Sequence, residues 1–423
     1  MPTSPRAAVR RIALARLISI GGGAAAYTAL MFTIYRETGS PLWLSAAALA
    51  TFGAEALFGP LTGVFGDRFN RKRVMIVSDI AGSACFGAMA LTSDPGALVA
   101  LSLGSAIAET PFISASGAAI PNLVGEDLIA WANSTVGLGR NLGILLGPVL
   151  GGLLLTKFGA QTVFAANAAS FLVSAALVAT VSARFAEPRR TTDGDRGFRA
   201  GIRFLMDERV LRTVTLGWSV AVVGFGMGIV ADMPMVDTFR AGALGFGAII
   251  ACWGGGTALG AILGRRLTAA TEVRTVAGGL LITCVTGLAI GITPWFAMFL
   301  VLTFLMGIGD SLAEVATRGL QQRRTPDHLR SRVSAASDGM VNAALAISFV
   351  LGGFAVSAVG PKAVYAIGGA TAGLGTLVLV RVLGIRARGG PIAVETLGAG
   401  GGPLVAARTP LASPADPHPP AKD

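Results

Sequence analysis

Four charged residues stand where charge is costly: Glu55, Glu109, Arg140 and Asp310 each lie well inside a long apolar run. An ionised side chain surrounded by hydrocarbon is strongly unfavourable unless it faces a partner or a wet cavity, so such residues mark either chemistry or a buried ion pair. At 1.5 Å per residue, Glu109 and Glu55 lie roughly 17 Å from the basic ends of their runs and Arg140 ~14 Å from its own. The three share a depth. Two carboxylates near one guanidinium leave at least one acid poorly compensated, and such an acid can take up and release a proton. We therefore place a proton site at Glu109, with Arg140 and Glu55 tuning it; a structural ion pair is the competing assignment. Glu314, Arg318, Asp79, Asp232 and Asp338 fall nearer the ends of their runs and read as interfacial anchors or helix caps.

The elements that would position these groups are membrane helices. Of 423 residues, 53% are hydrophobic and 13% charged, with a mean hydropathy of +0.67, which leaves too little polar surface for a water-soluble fold. The net charge of +11 is distributed unevenly: Arg36, Lys157, Arg240 and Lys362 fall in loops on one side, Arg140 lies within a span, and the other Lys and Arg residues fall on the opposite side. Cations are retained on the cytoplasmic side during insertion, so this asymmetry predicts a multi-pass cell-membrane protein with both termini cytoplasmic, and it argues against a nucleic-acid partner. Cys85, Cys252 and Cys284 sit in apolar runs without paired spacing, and His328 and His418 fall in a loop and in the tail, so neither disulfide, metal site nor cofactor is expected. No H-E-x-x-H, G-x-x-x-x-G-K-[ST] or nucleophile elbow occurs, which argues against an enzyme and against ATP as the energy source. The aromatic content is 7%, and no aromatic cage for a cation can be picked out along the chain.

In chain order, a basic segment with Arg6, Arg10, Arg11 and Arg16 leads into a first span that continues to Tyr35, past the signal-peptidase-like Ala24 to Ala26. Apolar runs follow at roughly 42–66, 74–93, 96–120, 131–156 and 161–183, completing an N-terminal six-helix half over 1–184. Residues 185–212 form a charged linker with an amphipathic helix near Phe198 to Val210. Six further runs, roughly 213–236, 243–264, 273–291, 295–317, 333–357 and 361–384, make a C-terminal half over 213–385. The Gly/Pro/Ala-rich tail, 386–423, is expected to be a disordered cytoplasmic segment.

A constant offset of 201 relates the halves: Leu128 to Leu329, Asn141 to Asn342, Gly151-Gly152 to Gly352-Gly353, Gly159 to Gly360 and Val163 to Val364. Glu109 maps onto Asp310 by the same offset. An even number of helices per half gives both copies one orientation, a parallel 6 + 6 arrangement. The basic loop at Gly66-Asp67-Arg68 maps at offset 198 onto Gly264-Arg265-Arg266, so the second copy keeps the cations and lacks the acid.

Two motifs carry a resemblance. The loop from Gly63 to Val74, with Asp67, Arg68, Arg71, Lys72 and Arg73, matches G-x-x-x-D-R-x-x-R-K and resembles the loop between the second and third helices of the major facilitator superfamily, a conformational latch on the cytoplasmic side. Asn70 replaces the usual Gly there and Phe65 the usual Leu; Asn tolerates a left-handed backbone, so the turn is expected to survive. In the fifth run, Gly143, Gly147, Pro148, Gly151 and Gly152 form G-x-x-x-G-P-x-x-G-G, similar to the antiporter motif of that superfamily. Bare packing chemistry accounts for those residues too, since glycines open a groove for a neighbouring helix and Pro148 permits a kink.

The resemblance implies an all-α membrane fold of twelve transmembrane helices in two parallel-related six-helix halves. Helices 1, 4, 7 and 10 would line a central cavity, with Glu109 and Asp310 on opposite walls. Leu128 to Ser134 and Tyr35 to Pro41 are similar to the branch with macrolide, tetracycline, multidrug and enterobactin exporters. The expected activity is proton-coupled efflux of small amphipathic molecules or drugs by a monomer in the lipid bilayer. Export of a siderophore or metabolite is the alternative, and a non-transporting sensor or a membrane enzyme is the different class.

Overall fold

A computed structural model gives the architecture for residues 4–53, 70–124, 126–181, 194–268 and 270–384, and among these all regular structure is helical. The first half comprises α1 (Pro5–Thr38), α2 (Pro41–Gly53), α3 (Arg71–Met89), α4 (Pro95–Leu123), α5 (Ile129–Phe158) and α6 (Ala160–Ala179). The amphipathic linker helix α7 (Gly194–Asp207) leads to α8 (Arg209–Thr238), α9 (Gly242–Gly264), α10 (Glu272–Gly291), α11 (Phe296–Arg324), α12 (Arg330–Val359) and α13 (Pro361–Leu383). Ten of these are long and apolar enough to cross a membrane; α2 is a shorter apolar helix, and α3 opens on three cations. Glu55, Gly63, Asp67 and Arg68 lie outside the described residues.

Local chemistry sets the helix ends. Asp94 Oδ1 accepts from the Ala97 amide at 2.7 Å ahead of Pro95, which pre-sets the first turn of α4. Asn70 does not take the left-handed conformation expected of it: with φ −61° and ψ 113° it is extended, and its Oδ1 accepts from the Lys72 and Arg73 amides as the cap of α3. A short amide side chain satisfies the orphan amides of a helix start, a role Gly cannot fill. Gly159 and Gly360, 201 positions apart, share φ +81° at the α5–α6 and α12–α13 junctions, so the repeat preserves glycine where the turn needs positive φ.

Apolar packing divides the molecule into three cores. The largest draws on the ends of α1, α5, α8, α9, α11 and α12 remote from α7, and it spans both halves. At the other end, called here the linker end, each half has its own core: Ile12, Met75, Phe112 and Val178 in the first, Leu211, Val276, Leu320 and Val333 in the second. Among the described residues, the halves are thus joined by a shared core at the far end and packed separately at the linker end. Leu205 of α7 is fully buried in the second of these cores, which seats the linker helix on the C-terminal half.

Candidate functional site

The glycines of α5 build the frame of the site. Gly139, Gly143, Gly147 and Gly151 recur every four residues, so they form one ridge against α1, where added Cβ atoms would lie 2.5 Å from Ala13 O, 2.9 Å from Gly21 N, 2.4 Å from Gly21 O and 2.6 Å from Ala25 Cα. Gly152 turns to the other half, and its Cβ would meet Ala243 O of α9 at 2.8 Å; the Pro148 carbonyl in turn occupies the place of a side chain on Gly247. The second copy does the same, since Gly352 packs on Met227 of its own half and Gly353 on Pro41, Leu42 and Ser45 of α2. Ser45 Oγ donates to the Phe349 carbonyl at 2.6 Å beside that contact. Each Gly-Gly pair therefore serves one contact within its half and one across the interface.

Between the halves lies a central cavity of about 510 Å³. Among the described residues, eight aromatic side chains line it: Tyr27, Phe52, Phe86, Phe171, Phe225, Trp253, Phe349 and Tyr365. Their absence as a sequence signal is explained by their origin, since each comes from a different helix. Tyr27 meets Phe52 edge-on at 5.2 Å and Phe52 stacks on Phe349 at 5.9 Å, so the aromatic layer bridges the halves toward the far end.

Glu109 of α4 lines this cavity beside Ser102, Ser105 and Ala106. Asp79 of α3 is 2% exposed and lies within electrostatic reach of both Glu109 and Arg16. The Arg16 guanidinium sits over the Phe112 ring, 5.4 Å from its centroid. The guanidinium of the acid cluster is thus Arg16, not Arg140 as expected from depth. Counting Arg16 with the flanking cations overlooked that α1 begins at Pro5, which puts Arg16 about 17 Å into the helix. Asp79, expected as an end anchor, belongs to the same cluster.

Arg140 follows Gly139 by one position, which is 100° around the helix from the ridge on α1. It is exposed and lines a second cavity of about 670 Å³ with Asn141, Asp310, Glu314, Arg318 and Asp338. Asp310 accepts from Thr283 Oγ1 at 2.7 Å and from Trp253 Nε1 at 3.1 Å. It therefore faces the second cavity, whereas the central cavity receives from the C-terminal half a different acid, Asp232 of α8, which takes the hydroxyl of Tyr365. Asp232 also departs from its expected role as an end anchor. Ile144, Phe225, Trp253, Thr283 and Leu345 line both cavities and form the partition between them. Arg318 bridges Glu314 at 3.2 Å and Asp338 at 3.5 Å, all three about half exposed toward the linker end.

At the linker end, Lys72 Nζ donates to the Ala179 and Val181 carbonyls and Arg11 to the Thr180 carbonyl, so these cations tie α3 and α1 to the end of α6. Arg71 is buried. In the second copy Glu272, 201 positions after Arg71, is 2% exposed and is bound by Arg323 of α11. Glu208 similarly holds Arg324 at 3.0 Å.

This duplicated helical frame around a cavity between its halves defines a membrane transporter. The sequence model of the Major Facilitator Superfamily matches residues 12–268 and again 227–414, and the chain belongs to that superfamily. It is 25% identical over 338 residues to the MFS-type transporter YfiS of Bacillus subtilis (strain 168), covering 76% of this chain and 79% of that protein. It is also 25% identical over 335 residues to the enterobactin exporter EntS of Escherichia coli O1:K1 / APEC, covering 77% and 80%. Among solved structures, a bacterial homologue of the iron transporter ferroportin in its inward-facing state aligns with a TM-score of 0.71 at 17% identity, over 90% of this chain and 99% of that one. The nucleoside transporter NupG aligns with a TM-score of 0.71 at 11% identity, over 90% and 100%. The protein is a multi-pass membrane transporter and not an enzyme.

Proposed function

We propose that the protein exports small amphipathic molecules from the cytoplasm in exchange for protons, by alternating access to the central cavity. The observation that carries this reading is the Arg16–Asp79–Glu109 cluster opening through Glu109 onto an aromatic-lined cavity between halves that share a core at one end only. One guanidinium offsets at most one carboxylate charge, so a cluster with two carboxylates offers a place to hold a proton. A protonated cluster is neutral and compatible with a closed, dry cavity; a deprotonated one favours a state in which water or a substrate reaches Glu109. The linker end is the cytoplasmic side on the charge distribution of the chain, so the conformation described is the one that loads substrate. A proton entering from the far side in the opposite conformation neutralises Glu109 and is released inward as the next substrate molecule binds. The loop with Gly63, Asp67 and Arg68, outside the described residues, acts as the latch that holds that opposite conformation. Likeness to the enterobactin exporter supports the outward direction, and export of a siderophore or metabolite is the second reading it favours.

Efflux of a compound panel from cells expressing the protein, with and without a protonophore, tests direction and coupling together. Glu109→Gln is expected to abolish uphill, proton-driven efflux while substrate exchange down a gradient persists. Uphill efflux by Glu109→Gln, or efflux indifferent to the protonophore, would overturn the coupling.

A further inference from the structure

The charges that line the central cavity have one sign. Among the described residues, Glu109 and Asp232 face it, and no Lys, Arg or His does. The two acids are differently placed. Glu109 has Arg16 and Asp79 in its cluster, whereas Asp232 comes from the other half and its one hydrogen bond among the described residues is from the Tyr365 hydroxyl. A carboxylate facing an apolar cavity with a single neutral donor keeps most of its demand for positive charge unmet. Tyr27, reaching across from α1, brings a buried hydroxyl that has no hydrogen-bond partner among the described residues and lies within electrostatic reach of Asp232. The face of this corner is aromatic: Tyr27 against Phe52 at 5.2 Å, and Phe52 against Phe349 at 5.9 Å.

We propose that Asp232, held by Tyr365 and flanked by Tyr27, is the recognition site for a lipophilic organic cation, with Phe52 and Phe349 receiving its apolar body. This rests on the central cavity being the transport site and deepens that reading by naming the substrate class. A cationic head supplies the charge that Asp232 lacks, its hydrocarbon surface covers the ring faces, and the rings add cation–π attraction without further hydrogen bonds. Glu109, whose cluster includes Asp79 and Arg16, remains the proton-coupling acid, so the two carboxylates divide proton and substrate between the halves. The same lining repels an anionic substrate, which the siderophore or metabolite reading would need to overcome.

Equilibrium binding of ethidium, a permanent lipophilic cation, to the purified full-length protein in nanodiscs tests the assignment without any gradient, so it is independent of whether export is proton-coupled. The wild type is expected to bind, and Asp232→Asn to weaken binding by about tenfold or more, as the loss of one charge partner in a low-dielectric site requires. Asp232→Glu is expected to restore most of the affinity, Tyr365→Phe to weaken it several-fold, and Arg140→Gln, which changes a charge in the second cavity, to leave it nearly unchanged. Absence of ethidium binding by the wild type, an affinity unchanged in Asp232→Asn, or an equal loss in Asp232→Asn and Arg140→Gln overturns the proposal. Should Asp232→Asn fail to fold, Tyr365→Phe decides, because unchanged affinity in that variant excludes the site.

Discussion

Gly152 in α5 and Gly353 in α12, 201 positions apart in the chain, make equivalent contacts on opposite sides of the interface: Gly152 lies against the Ala243 carbonyl of α9 and Gly353 against Ser45 of α2. Both contacts lie in the far-end core that joins the halves. The second copy of the Gly-Gly pair, which completes no motif in the sequence, thus does the same mechanical work as the first.

Gly152→Val and Gly353→Val are expected to open this seal. The added Cβ atoms would fall 2.8 Å from Ala243 O and 2.4 Å from Ser45 Oγ, and overpacking of this kind costs about 1–3 kcal/mol. That penalty falls on the far-end-closed conformation alone, so the population moves toward the state open at the far end. A single cysteine at Asn141 in a background lacking Cys85, Cys252 and Cys284 should lose reactivity toward a water-soluble thiol reagent in either variant, because the linker-end cavity closes. Unchanged labelling would show that the seal does not govern access.

Ser45→Ala removes the 2.6 Å bond to the Phe349 carbonyl without adding bulk. A net loss of about 0.5–1.5 kcal/mol is expected, so the same cysteine should show a smaller shift in the same direction. A shift as large as that of Gly353→Val would mean that the bond, not the close approach, holds α2 to α12.

Arg16→Gln leaves Asp79 and Glu109 together without their guanidinium. Removing one partner of a buried charge cluster costs about 3–5 kcal/mol where the rest stays ionised, so the melting temperature in detergent should drop substantially. Asp79→Asn in the Arg16→Gln background should recover part of it, because the uncompensated charge is gone. Additive losses in the double variant would place the two residues in separate roles. Arg140→Gln, on an exposed position, should change the melting temperature far less.

Asp310→Asn alters a carboxylate that accepts from both Thr283 and Trp253. The loss expected is about 1–3 kcal/mol of stability, with Thr283→Val giving a fraction of it. Because the indole of Trp253 is one of the donors, its fluorescence should shift in Asp310→Asn at temperatures well below unfolding. A variant with native stability and full loss of efflux would instead place proton coupling on Asp310.

Reporter fusions after Lys157, Arg240 and Lys362 should all report the outer side, and fusions near Arg196 the inner side. The expectation follows from the uneven distribution of Lys and Arg. An outer signal at Arg196 would reverse the orientation assigned to the cavity.

The sequence by itself determined the helices, their pairing into two copies and the superfamily. These follow from quantities local to the chain: span length, glycine spacing along one helix, and a repeat at fixed offset that reaches as far as the φ of Gly159 and Gly360. It singled out Glu109 as well, since a carboxylate deep in an apolar run is visible without a fold. The tertiary structure decided which charges meet. Depth along separate helices suggested Arg140 for Glu109, but depth says nothing about rotation, and one residue past the glycine ridge turns Arg140 into the other cavity while Arg16 takes its place. Asp232 and the eight aromatic residues were hidden for the same reason: each stands alone on its helix, and only packing of helices from both halves brings them to one cavity.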